Sequence, residues 1–174
     1  MDFSFVNNFL ISPDGLRIAW NVNRITNIIE DDDGTAFIKH EVYTANIDGK
    51  DKRLVFKEQL KVKDVFADNG MERRMVYWSR KIKNQLFFST FNIGQLWSEY
   101  KSLFALNIET GLLSEINKDV EVFLNFSLNE TLVAYTPNDH TCCAGTNYTN
   151  NTVSILDLIS GKNVVIYLRR ISYF

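Results

Sequence analysis

The chain has 174 residues, of which 45% are hydrophobic and 23% charged, and its formal net charge is −2. This composition is typical of a soluble globular protein and excludes a disordered chain. The apolar runs are far shorter than the ~20 residues of a membrane-spanning helix, so we expect no membrane insertion. Lys and Arg are spread along the chain, so we expect no nucleic-acid partner.

The start of the chain, Met1-Asp2-Phe3-Ser4, lacks the basic residues that open a signal peptide. We therefore expect a cytoplasmic protein, or a periplasmic or extracellular one if the true N-terminus is missing.

Two phrases of the sequence recur. Residues 12–20, SPDGLRIAW, match residues 127–135, SLNETLVAY, because each is a turn followed by a short apolar strand that ends on an aromatic residue. A second phrase occurs at 42–47, 103–108 and 153–158, each time shortly before a glycine. Such self-similarity at intervals of roughly 45 to 50 residues is typical of repeat architectures, including propellers.

Strand signals fill the chain, as short runs of Val, Ile, Phe and Tyr bounded by Gly, Asn, Asp and Ser. They predict four strands in each of three units, at 3–11, 16–22, 37–47 and 52–57, then 74–79, 85–90, 100–108 and 112–116, then 120–127, 131–136, 152–158 and 163–168. Four antiparallel strands with short turns form the blade of a β-propeller. We therefore predict an all-β fold, a β-propeller fragment of about three four-stranded antiparallel blades plus the start of a fourth.

The predicted domain is a single incomplete propeller over 1–174, with blades at about 1–57, 74–116 and 120–168 and an inter-blade insertion at 58–73. Because about four blades are the fewest that close a ring, we expect the missing blades or self-association to complete it. One face of the second strands should lie buried between adjacent sheets. Its residues are Ile18, Trp20, Leu86, Phe88, Val133 and Tyr135.

The turn Ser12-Pro13-Asp14-Gly15, the strand Ile18-Ala19-Trp20 and the later Asn46-Ile47-Asp48-Gly49 resemble the WD40-like repeat of the TolB family. They are also similar to the propeller of prolyl-oligopeptidase-type proteins. At Ser79 the turn is longer, and at Ser127 the Pro and Gly are absent. We interpret the chain as part of such a propeller that acts as a non-catalytic scaffold and binds protein partners through the face that carries the long loops. One alternative is the propeller portion of an oligopeptidase-like serine peptidase whose catalytic domain is absent from this chain. Another is a propeller that binds a ligand or carbohydrate, which the aromatic loop permits.

Signatures of catalysis are absent from the sequence, which has no Gly-x-Ser-x-Gly, phosphate-binding Gly-rich loop or His-Glu-x-x-His. We therefore expect no enzyme activity, no catalytic residue and no cofactor. Asp139, His140, Cys142 and Cys143 lack the ligand spacing of a metal site, so we expect no metal there. The acidic run at 30–34 also lacks the alternate spacing of a Ca²⁺ loop, and a solvated hairpin tip is the favoured interpretation.

The predicted connections at 23–36, 58–73, 91–99 and 137–151 are long, whereas the other turns are tight. In an antiparallel blade the long connections leave the sheet at one edge, which predicts a binding face there; the alternative is that these loops merely tolerate insertions.

The segment containing Phe91, Ile93, Leu96 and Trp97 places apolar side chains in one of these loops. They either contact a partner or pack over the sheet edge. The adjacent Cys142 and Cys143 are either free thiols, which the sequence favours, or a strained disulfide.

Overall fold

The computed structural model describes residues 3–26, 35–63, 70–93, 102–118, 120–137 and 152–167. These ranges form three four-stranded antiparallel sheets, which we call blades 1, 2 and 3. In each sheet the strands neighbour one another in chain order. Within the described ranges no helix is long and apolar enough to cross a membrane.

Blade 1 contains β1 (Phe3–Ile11), β2 (Arg17–Thr26), β3 (Thr35–Asn46) and β4 (Arg53–Lys63). Blade 2 contains β5 (Gly70–Trp78), β6 (Gln85–Ile93), β7 (Leu103–Asn107) and β8 (Leu113–Asn117). Blade 3 contains β9 (Val120–Phe126), β10 (Leu132–Pro137), β11 (Thr152–Asp157) and β12 (Asn163–Tyr167). The predicted fold class, a fragment of a β-propeller, is confirmed. Residues 169–174, where we expected a fourth blade to start, lie outside the described residues.

The strands of blade 1 are longer than predicted. β2 continues to Thr26 and β4 continues to Lys63, while β5 begins at Gly70. The predicted insertion at 58–73 is therefore too long, because strand occupies both of its ends. Leu60 and Val62 alternate with Lys61 and Lys63, and this two-residue period is that of a strand.

Three serines begin equivalent turns, as the repeated phrase predicts. The backbone N–H of Ser12 donates to the carbonyl oxygen of Arg17 at 2.9 Å, and Ser79 and Ser127 make the same bond to the residues that open β6 and β10. In blades 1 and 3 the serine hydroxyl also accepts the N–H of that strand residue. A hydroxyl that bonds local backbone stabilises a turn in this way.

The equivalent turns fix a common register, in which each blade has two distinct faces. The front face carries Ile18, Leu86 or Val133, and the back face carries Ala19, Phe87 or Ala134. Strand pairing confirms the register, because Ile18, Leu86 and Val133 each pair with the matching residue of the third strand in their own blade, namely Ala45, Leu106 and Leu156.

The core lies between successive blades. The front face of blade 2, with Leu86 and Phe88, packs against Ala19 and Val42 on the back face of blade 1. The front face of blade 3 packs in the same way on the back face of blade 2, and its cluster contains Phe87, Leu103, Val120, Val133, Tyr135 and Leu156. Every junction is therefore front to back.

Four of the six residues predicted to lie between sheets are buried, namely Leu86, Phe88, Val133 and Tyr135. The prediction was wrong for Ile18 and Trp20, which are only half-buried. The reason is geometric. Both residues lie on the front face of blade 1, and within the described residues no sheet packs against that face.

Candidate functional site

The predicted contact residues are only partly placed by the structure. Phe91 and Ile93 belong to strand β6, which corrects the expectation that they lie in a loop. Leu96, Trp97, Cys142 and Cys143 lie outside the described residues, as does the acidic run 30–34.

The two edges of the blades differ in their connections. At one edge the first strand turns tightly into the second, and the third into the fourth, through backbone hydrogen bonds of 2.8–3.0 Å. At the other edge, residues 27–34, 94–101 and 138–151 join the second strand to the third, and 64–69 join β4 to β5. The strands that flank these connections all end at one edge, where the two-residue connection 118–119 between β8 and β9 also lies. The longer connections therefore share one edge, as expected, although not every connection there is long. We call it the long-connection edge and the opposite one the tight edge.

A buried carboxylate joins blades 2 and 3. Glu130, in the turn between β9 and β10, is 4% exposed. Its carboxylate accepts hydrogen bonds from Ser79 Oγ, from Tyr77 Oη at 2.9 Å and from the backbone N–H of Arg80 at 2.7 Å. The Lys81 N–H donates a longer one of 3.3 Å. We call this group the Glu130 clasp.

The Glu130 clasp holds its carboxylate ionised. Burial favours the neutral acid, but the hydrogen bonds from Ser79, Arg80, Tyr77 and Lys81 outweigh it and bring the pKa of Glu130 below its ordinary value of 4.5. On the other side, burial and the negative charge of Glu130 raise the pKa of the Tyr77 hydroxyl. The clasp is thus a hydrogen-bonded ion that links blades 2 and 3.

The clasp was not predicted from the sequence, although a signal for it was present. Glu130 occupies the turn position where blade 1 has Gly15, and both residues have a positive φ, +58° and +74°. A glutamate is strained in this left-handed conformation, whereas a glycine is not. Its presence in place of the motif's glycine indicates a side chain with a role of its own.

A cleft of about 560 Å³ opens where β8 meets the tight edge of blade 3. The buried Tyr135 hydroxyl accepts hydrogen bonds from the Nδ2 of Asn117 at 3.1 Å and of Asn163 at 2.8 Å. Glu115 and Asp157 also line the cleft, and the described residues that line it include no serine, cysteine or histidine. This set can form hydrogen bonds to a small polar molecule but supplies no nucleophile and base pair.

The front face of blade 1 is an apolar surface that the described residues leave uncovered. Val6, Phe9 and Ile11 on β1 and Leu54 on β4 are exposed there. Phe9 pairs with Trp20 and Trp20 with Tyr43, so these side chains share one face. Exposed apolar patches of this kind indicate an interaction surface.

An aromatic pair lies at the centre of this face. The rings of Trp20 and Tyr43 stack with centroids 5.6 Å apart, and Lys52 Nζ lies 4.9 Å from the centroid of Tyr43. The Tyr43 hydroxyl donates to Glu41 at 2.9 Å, and Glu41 is also paired with Arg24 at 3.1 Å. The face therefore has an apolar part around Phe9 and Ile11 and a charged part around Arg24 and Glu41.

Comparison with known proteins adds little. No family model matches the chain, and no curated protein matches it. Among solved structures it is similar to the crystal structure of the tricorn protease, with 7% sequence identity and a TM-score of 0.37. The match covers 94% of this chain and spans 23% of that chain.

Proposed function

We propose that this chain is part of a TolB-like propeller that acts as a non-catalytic scaffold and binds a protein partner through its long-connection edge. The observation that most supports this is that the two edges differ in the length of their connections. At the tight edge each turn is closed by a backbone hydrogen bond. The longer connections between second and third strands all lie at the opposite edge, at 27–34, 94–101 and 138–151. A rigid frame that presents variable connections on one side is suited to recognition.

Phe91, Ile93, Leu96 and Trp97 are the proposed contact residues. Phe91 and Ile93 end strand β6 at the long-connection edge, and Leu96 and Trp97 follow in the connection from that strand to β7. Aromatic side chains at such positions are frequent anchors of protein interfaces.

The test is a comparison of three immobilised proteins in a binding experiment with an extract of the source cells. The first is the unaltered chain, and the second has residues 138–151 replaced by an Asn-Gly turn together with Trp97→Ala. The third carries Leu128→Glu and Ile159→Glu, two changes at exposed positions of the tight edge. We expect a partner that the first and third proteins retain and the second loses.

The captured partner is then purified and its dissociation constant measured for all three proteins. Equal affinity for all three would contradict the proposed binding edge. If the gene product instead continues into an α/β-hydrolase domain with a Gly-x-Ser-x-Gly motif, and the longer chain cleaves peptides, the oligopeptidase alternative replaces the scaffold.

A further inference from the structure

We propose that two copies of this chain associate head to tail, the front face of blade 1 in each copy packing on the back face of blade 3 in the other. The pair would form a closed ring of six blades. Propellers contain about four to eight blades, so a six-bladed ring lies within the ordinary range.

The first argument is that the uncovered front face is equivalent to faces that are buried in both of the other described blades. In blades 2 and 3 the residues equivalent to Ile18 are Leu86 and Val133, and both are fully buried on the preceding blade. Ile18 and Trp20 are half-buried, and Phe9 beside them is 64% exposed. The front face of blade 1 therefore has the chemistry of a blade junction without the preceding blade.

The second argument is that the back face of blade 3 matches the surface that receives a front face. Ala134 occupies the position of Ala19, the small residue against which Leu86 and Phe88 pack. Around it the back face is aliphatic, with Ile155 paired to Ala134 and to Val164, and Val153 paired to Ile166. Val164 is 59% exposed and Ile166 41%.

These two faces indicate which molecule covers them. At the described junctions a front face packs on a back face, and the described part of the chain leaves one front face and one back face without a neighbouring blade. A second copy supplies both partners at once, and a two-fold axis then joins the copies through two identical junctions. The junction would lack the hydrogen bonds that Glu130 and Arg17 make across the internal junctions, because Gly15 and Leu132 occupy the equivalent positions.

The experiment measures the mass of the purified 174-residue chain by light scattering and sedimentation over a range of concentrations. We expect a species of twice 20.2 kDa. Phe9→Glu alters the front face and Val164→Glu the back face, at positions already exposed in the single chain. Each change places a charge in both junctions, so each should raise the dissociation constant about 100-fold or more.

Two controls separate this geometry from others. Leu112→Glu and Ile159→Glu alter residues of similar or greater exposure, 65% and 81%, at the tight edge, and should leave the dimer intact. A mixture of the Phe9→Glu and Val164→Glu chains should form a mixed dimer held by one junction, in which the unaltered front of one meets the unaltered back of the other, while both glutamates lie in the second junction. Circular dichroism and thermal unfolding establish that all variants are folded.

Several results would overturn the proposal. One is a chain that stays monomeric at every concentration. Another is a dimer lost in only one of the two variants, which would indicate contact between identical faces. A mass that keeps rising with concentration would show that the head-to-tail contact does not close into a pair.

Discussion

Glu130 accepts a hydrogen bond from the hydroxyl of Tyr77 at 2.9 Å, although 53 residues separate the two in the chain. Tyr77 lies on β5 in blade 2 and Glu130 in a turn of blade 3, so the bond crosses a junction between blades. A buried charge with several donors fixes orientation, because any rotation of one blade against the other would leave the carboxylate without partners.

Replacing Glu130 by glutamine should therefore destabilise the protein at neutral pH. Glutamine keeps the shape but loses the charge, and its amide group would face donors such as the Arg80 N–H. We expect a loss of about 1–3 kcal/mol in the free energy of unfolding, measured by urea denaturation at pH 7. Glu109→Gln, at an exposed turn position, is the control and should stay within about 0.5 kcal/mol of the unaltered protein.

The difference between these two proteins should depend on pH in a defined direction. Because the pKa of Glu130 is lower in the folded state than its ordinary value of 4.5, the clasp stabilises the protein fully above that value. The stabilisation is lost as the pH falls through the lowered folded pKa. Unfolding curves at successive pH values should show the Glu130→Gln penalty shrinking below pH 4.5. A penalty that grows on acidification would contradict this assignment.

Equivalent residues of blades 1 and 2 should differ strongly in their contribution to stability. Leu86→Ala should cost about 2–5 kcal/mol, because the side chain is fully buried at a junction. Ile18→Ala, at the matching position of blade 1, should cost clearly less when measured at a concentration where the chain is monomeric. Equal costs under those conditions would mean that the front face of blade 1 is covered within the single chain.

The junction between blades 1 and 2 offers a test of backbone strain. Asn84 accepts a hydrogen bond from Arg17 Nη2 at 2.9 Å and has a positive φ of +60°. Asn84→Gly and Asn84→Ala both remove this bond, but only alanine is strained at that φ. We expect thermal unfolding to show alanine as the worse substitution by about 1 kcal/mol. Alanine no worse than glycine would show that the strain is relieved locally.

Much of the fold could be predicted because its signals are local. The serine turns and the two-residue period of the strands are encoded in a few neighbouring residues, and the repeat places them in one register. The bounds in blade 1 were less accurate, although the alternation of Leu60 and Val62 with Lys61 and Lys63 has the two-residue period of a strand.

The interaction surfaces were harder to predict because they depend on distant neighbours. Whether Ile18 is buried depends on which side of blade 1 receives another blade, and no local pattern encodes this. The Glu130 clasp likewise needs donors about 50 residues away. Only the loss of the motif's glycine pointed to it.

Two glycines in equivalent turns provide the last prediction. Gly111 and Gly161 have nearly the same φ, +72° and +69°, and each donates its N–H to the last residue of the preceding strand, Asn107 or Asp157, at 2.8 Å. They differ in their surroundings. A Cβ added at Gly111 would lie 2.9 Å from the backbone oxygen of Val55 in blade 1, whereas a Cβ at Gly161 would meet nothing within 4 Å.

Gly161→Ala should therefore cost about 1 kcal/mol, from the left-handed backbone alone. Gly111→Ala carries the same strain and in addition forces β4 of blade 1 away from blade 2, because a backbone oxygen cannot rotate aside as a side chain can. We expect its free energy of unfolding, from urea denaturation of both variants under identical conditions, to fall by at least about 2 kcal/mol. Equal losses for the two variants would show that the turn of blade 2 does not pack against Val55.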